Sequence, residues 1–198
     1  MLSVSAENKA AHWLRMSAEG TYDYDIDARF YDARTDSWSD TITPHKDGVS
    51  AEHGFVSMLP VGNGNTLMSW LDGRNTKTEA GYGEMTLRAG IFSARGETLS
   101  EWELDARVCD CCQTSAAMSA AGPIIVYRDR SAEEIRDIYV TRYVNGYWTP
   151  PVAIHDDQWG IAGCPVNGPS VAAQRNFAAV GWFTAKDDSP KVQLALST

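Results

Sequence analysis

The sequence predicts an all-β fold of the β-propeller type, with about four blades of four antiparallel strands on a period of about 56 residues. Three observations carry that expectation. Apolar-aromatic segments AAHWLR, LMSWLDGR, IIVYRDR and AVGWFTA centre on Trp13, Trp70, Tyr127 and Trp182, spaced 57, 57 and 55 residues apart. Other strand-like series repeat in register with them, and self-similarity at a fixed period is the mark of a repeat architecture. Seven Trp, eight Tyr and sixteen Gly favour strands and turns over helices.

The elements follow in order within each repeat. A first series, SVSAENK, GFVSMLPVG, TSAAMSAAG and PSVAAQRN, precedes the aromatic segments. The aromatic segments are the second strands. IDARFYD, TLRAGIF, IYVTRYV and VQLALS follow as third strands, alternating or rich in β-branched residues. DSWSDTITPH, LSEWELDARVC and GYWTPPVAIH supply the fourth. In these, Trp38, Trp102 and Trp148 are each followed seven positions later by His45, Cys109 and His155. Four strands per repeat make a propeller blade. One domain over 1–198 is expected, with blades at roughly 1–50, 51–107, 108–163 and 164–198, the last lacking its fourth strand. An unpaired blade edge invites association, so a homo-oligomer is one expectation.

Composition excludes several function classes. The chain is 43% hydrophobic and 22% charged, and no run of 18 apolar residues could span a membrane. A formal charge of −9 without a basic stripe argues against a nucleic-acid partner. MLSVSAENKAAHW shows no basic segment followed by an apolar core, so no export signal is visible.

Propeller connectivity brings inter-blade connections and second-to-third-strand loops to one face. The connections Pro44–Gly54, Arg107–Thr114 and His155–Pro169 hold His45, His53, His155 and all four cysteines. The loops hold Asp72 with Arg74, then Arg128 with Arg130. Arginine's planar fork suits a carboxylate or similar small anion. The ligand-binding candidates are therefore Arg74, Arg128, Arg130, His53, Asn167 and Trp159, the last as a platform for a sugar ring, with simple packing as its leading reading. A local ion pair, Arg74 with Asp72 or Arg130 with Asp129, is the bland alternative. Trp13, Trp70 and Trp182 are expected to pack between blades.

Cys109, Cys111, Cys112 and Cys164 admit three readings. They form disulfides in an oxidising compartment, with Cys164 joined to Cys111 or Cys112. Cys109, Cys112 and Cys164 bind a zinc- or copper-like ion together with His45, His53 and His155. Or they are buried thiols. The leading expectation includes no cofactor.

FYDARTDSWSD resembles a degraded Asp-box hairpin of sialidases, and NGYW is a weaker echo. EHGFVSM, LDGR, RVCDCCQT, YRDR and GCPVNGP resemble segments of bacterial, generally exported, sialidase-like propeller proteins. The resemblance implies a sialidase-type propeller, a periplasmic or extracellular location and a carbohydrate ligand. Catalysis does not transfer with it. No Arg-Ile-Pro segment and no marked Tyr–Glu pair occurs, which leaves Tyr127, Arg128, Asp72 and Tyr82 as weak catalytic candidates. The expected function is a glycan- or anion-binding module without catalysis. The alternatives are a sialidase-type glycoside hydrolase, and a metal-binding or structural interaction domain.

Overall fold

The computed structural model describes residues 2–4, 8–77 and 83–197. The chain divides into two compact units, Met1–Glu103 and Leu104–Thr198. Each holds two antiparallel sheets.

In the first unit, one sheet runs β1 (Leu2–Val4), β2 (Asn8–Met16), β3 (Tyr24–Asp32) and β4 (Ser37–Trp38). The next runs β5 (His53–Pro60), β6 (Thr66–Asp72), β7 (Thr86–Phe92) and β8 (Thr98–Asp105), its last two residues lying beyond the unit boundary. Their core joins Ala10, Ile26, Ala28 and Phe30 of the first sheet to Val56, Met58, Met68, Trp70 and Phe92 of the second. Phe30 and Phe92 stack with centroids 5.6 Å apart. Strand β6 is buried along its whole length, its polar Thr66, Ser69 and Asp72 included.

In the second unit, one sheet has β9 (Ser115–Ser119), β10 (Gly122–Arg128), β11 (Ile138–Val144) and β12 (Tyr147–Trp148), with β13 (Val152–Ala153) also paired to β11. The other has β14 (Ser170–Gln174), β15 (Phe177–Thr184) and β16 (Lys191–Ser197), three strands among the described residues. Ala117, Ile124, Val126 and Ile138 pack there against Val171, Val180 and Trp182.

The four aromatics of the repeat all lie on the second strand of their sheets, β2, β6, β10 and β15. The four-strand repeat is therefore real. Trp70, Tyr127 and Trp182 are buried, but Trp13 is 40% exposed, against the expectation that it packs between sheets. The register explains why. Even-numbered Ala10, His12 and Leu14 pair with Phe30, Ala28 and Ile26, whose side chains enter the core, which turns Trp13 to the opposite face. On the last sheet, Val192, Leu194 and Leu196 alternate along the outward face of β16 at 80%, 67% and 74% exposure.

Candidate functional site

In the first unit the polar residues converge on His53. Asp72, at the end of β6, folds back on its own turn. Its Oδ1 accepts from Arg74 N at 3.1 Å and Arg74 Nε at 2.8 Å, and its Oδ2 accepts from Arg74 at 2.7 Å and Trp70 Nε1 at 2.8 Å. Asp32 and Arg34 make the same Asp-x-Arg clasp after β3. His53 Nε2 lies 3.1 Å from Asp47 Oδ2 and 3.5 Å from Asp72 Oδ1, while its Nδ1 faces the Tyr24 and Ala51 carbonyls at 3.1 and 3.2 Å. Burial alone would strip the proton from His53, but the Asp72 and Asp47 carboxylates outweigh it and raise its pKa. His45 stacks on His53, centroids 3.8 Å apart; its pKa is lowered by burial and by that neighbouring charge. Burial would likewise raise Asp72, yet the bonds from His53, Arg74 and Trp70 hold it well below the usual carboxylate range.

His45 has little capacity for a metal ion. Its Nδ1 is 2.9 Å from Asp47 Oδ2, and its Nε2 accepts the Ile26 amide at 3.3 Å. Around His53, Asp72 already receives four donors, two of them from the Arg74 guanidinium, whose charge would repel a cation. The arrangement is a charge-balanced clasp between the two sheets of this unit.

In the second unit Arg128, only 1% exposed, donates to three main-chain carbonyls: Nε to Asn167 at 2.9 Å, one terminal nitrogen to Arg136 at 2.5 Å, the other to Phe183 at 2.8 Å. Its guanidinium also lies 4.9 Å from the Trp159 ring centroid. Trp159 is buried against Phe183, the simple packing that is its leading reading from sequence, and its ring is not offered to a sugar. Arg130 pairs with Glu134 at 2.8 Å and Asp110 at 3.2 Å. Arg74 belongs to the first unit and Arg128 to the second, and each is satisfied within its own. Tyr127 donates to Asp105 Oδ2 at 2.5 Å; burial, then that carboxylate, raises its pKa. Tyr82 lies outside the described residues.

The cysteines separate into a bond and a pair. Cys111 and Cys164 form a disulfide, with Cα atoms 6.2 Å apart, as expected for Cys164. Cys109 and Cys112 are buried thiols with sulfurs 2.7 Å apart. His155 instead bonds Asp157 at 2.9 Å, a His-x-Asp pair matching His45 and Asp47 in the first unit. Asp157 also accepts from Trp182 Nε1 at 2.6 Å.

The sequence reading missed a carboxylate-lined cavity of about 440 Å³ in this unit, bordered by Asp129, Glu133, Asp137, Tyr139, Asp156 and Gln158. Burial, then Asp105 and Asp137 nearby, pushes the Asp129 carboxyl up to about 7. Asp137 accepts the Gln158 and Trp159 amides at 2.9 and 3.1 Å, fixing the loop that forms one wall. A larger depression of about 570 Å³ is bordered mainly by aliphatic residues such as Ile124, Val140 and Val180, with Arg142 its one charged residue. Shifted titratable groups mark the smaller cavity as the better functional candidate.

These features define an all-β protein of β-propeller type. No family profile and no curated protein matches the sequence. Solved structures do match the fold. A thermostable family-43 glycoside hydrolase superposes with a TM-score of 0.52 at 10% identity, over 98% of this chain and 69% of the hydrolase. Aleuria aurantia lectin in complex with Fucα1-6GlcNAc gives 0.55 at 12% identity, over 100% of this chain and 60% of the lectin. The same lectin with α-methyl-L-fucoside gives 0.53 at 12% identity, over 96% and 56%. The chain thus spans less than two thirds of the lectin. No helix of the described residues is long and apolar enough to cross a membrane.

Proposed function

We propose that the chain is a carbohydrate-binding propeller module of the periplasm or cell exterior, and that its ligand enters the cavity beside Asp129. The observation behind this reading is the cavity's acceptor-rich lining, Asp129, Asp137, Asp156 and Gln158 around the Tyr139 ring. Carboxylates accept from sugar hydroxyls, and an aromatic ring covers the apolar face of a sugar. A negative lining repels an acidic sugar, and Arg74, Arg128 and Arg130 are already paired, so the favoured ligand is a neutral glycan. The glycan-related proteins that share the fold, and a disulfide suited to an oxidising compartment, support the reading. Titration calorimetry against neutral and sialylated oligosaccharides tests it. Binding of a neutral glycan should weaken about tenfold or more in Asp129→Asn and Tyr139→Ala, as loss of a bond to a charged group would cause. Preference for sialylated ligands, abolished by Arg74→Ala, would overturn it in favour of an anion site.

One observation favours a second reading, a sialidase-type glycoside hydrolase. Tyr127 and Asp105 form a tyrosine–carboxylate pair next to an Asp129 carboxyl poised near neutrality. Such a site should turn over a fluorogenic glycoside with a rate dependent on a group titrating near pH 7, and lose about 10²-fold or more in Asp129→Asn. Absence of turnover across neutral and acidic glycosides removes this reading and leaves the binding module.

A further inference from the structure

We infer that Cys109 and Cys112 are a redox couple that closes into a second disulfide by relay through the Cys111–Cys164 bond. The geometry has three parts. The Cys109 and Cys112 sulfurs are 2.7 Å apart, well inside van der Waals separation, on a Cys-x-x-Cys segment whose ends are already together. The pair is sealed from solvent, at 0% and 1% exposure, so an external oxidant cannot reach it. The Cys111 sulfur lies within 4.8 Å of both, and its disulfide partner Cys164 stands exposed on the opposing loop. An exposed bond thus sits directly above a buried dithiol.

The local chemistry suits Cys109 as the attacking atom. A hydrogen bond from the Cys112 thiol lowers its pKa, and the Arg136 guanidinium, 3.2 Å from its sulfur, acts in the same direction. Cys112, the donor of that bond, moves the opposite way. The Cys109 thiolate attacks the Cys111 sulfur; the Cys109–Cys111 bond forms, the Cys111–Cys164 bond breaks, and Cys164 leaves as a thiolate. Cys112, surrendering its proton, then attacks Cys109 and expels Cys111 as a thiolate. To this point the chain has gained and lost no electrons. An external disulfide such as oxidised glutathione completes the cycle. The Cys164 thiolate attacks it and releases one glutathione, and Cys111 displaces the other from Cys164, restoring the original bond. Two protein thiols become a disulfide while one glutathione disulfide becomes two thiols, which carry away the two protons.

The test uses the full folded chain incubated with oxidised glutathione, quenched in acid at intervals, alkylated and mapped after trypsin. Cleavage at Arg107, Arg128, Arg142 and Arg175 leaves Cys164 on a different peptide from the other three cysteines, so its state reads out separately. The expected result is loss of both thiols, a final mass two hydrogens lower with no glutathione retained, and transient glutathione on Cys164. The double variant Cys111→Ser, Cys164→Ser should oxidise about tenfold or more slowly, because the relay is gone. Persistence of both thiols in the wild type, or an undiminished rate in the double variant, overturns the inference. If the double variant does not fold, the trapped adduct decides. Glutathione on Cys164 supports the relay, and glutathione first appearing on Cys109 or Cys112 overturns it.

Discussion

Replacing Arg128 with Met keeps the aliphatic stem and removes the guanidinium, which isolates what that group does. Three main-chain carbonyls, on Arg136, Asn167 and Phe183, lose their donor together. Each buried acceptor left unpaired costs about 1–3 kcal/mol, and the lower end for the three together, about 3 kcal/mol, is the starting figure because the loop and strand-end carbonyls can relax toward other donors. Loss of the contact with Trp159 adds about 0.5–2 kcal/mol. Against this, a buried cation is costly to desolvate, and its removal returns part of the loss. The net expectation is about 2–4 kcal/mol, a large share of a domain stability of about 5–15 kcal/mol. Urea unfolding followed by tryptophan fluorescence should show an earlier transition, reported by Trp159 and Trp182 of the second unit. The first unit should unfold as before. If Arg128→Met unfolds within about 0.5 kcal/mol of wild type yet loses ligand affinity, the guanidinium serves a ligand and the structural reasoning fails.

Other outcomes follow from single features. The raised pKa of His53 means its ion pairs contribute fully below the unfolded pKa near 6.5 and fade as pH rises through the higher folded value. His53→Gln should therefore destabilise the first unit most near pH 6 and least near pH 9, and a pH-independent deficit in melting experiments would refute that assignment. A Cβ at Gly168 would sit 1.9 Å from the Gln113 carbonyl oxygen, where the loop carrying Cys164 meets the loop carrying Cys111. Gly168→Ala should cost about 1–3 kcal/mol and make the Cys111–Cys164 bond easier to reduce, which thiol release at graded dithiothreitol would measure. Asp129 has a folded pKa raised towards 7, so its burial weakens the second unit as pH rises through that value. Asp129→Asn should then raise the melting temperature at pH 8 but not at pH 4.

The parts of the molecule legible in the sequence were those with a local, repeating signal. Trp70, Tyr127 and Trp182 recur because each sheet needs a bulky second-strand residue in its core, and they disclosed the strand order. The seven-residue step from Trp38 to His45 and from Trp148 to His155 led to the His-x-Asp pairs, although their aspartates went unremarked. Cys164 could be paired because its junction is equivalent to that of Cys111. Trp13 misled because the pattern gives strand position without the facing side. Arg128 misled for a different reason. Its partners are carbonyls 39 and 55 residues away, and a carbonyl is the same whatever side chain it follows. The cavity around Asp129 draws on Asp137 and Asp156 from separate segments, with no fixed spacing to betray it.

The aliphatic row on β16 has a colloidal consequence. Val192, Leu194 and Leu196 give the second unit a greasy outer stripe, while the chain as a whole carries a charge of −9. Copies in dilute buffer are held apart by that charge over a screening distance of about 30 Å at 10 mM salt, which shrinks to about 3 Å at 1 M. Sulfate both collapses this barrier and strengthens apolar contact. Solutions of the protein should thus stay clear at low ionic strength and neutral pH, then cluster on salting or on acidification as the carboxylates discharge. Its handling resembles that of a charge-stabilised suspension, in which removing repulsion is enough to set attraction free.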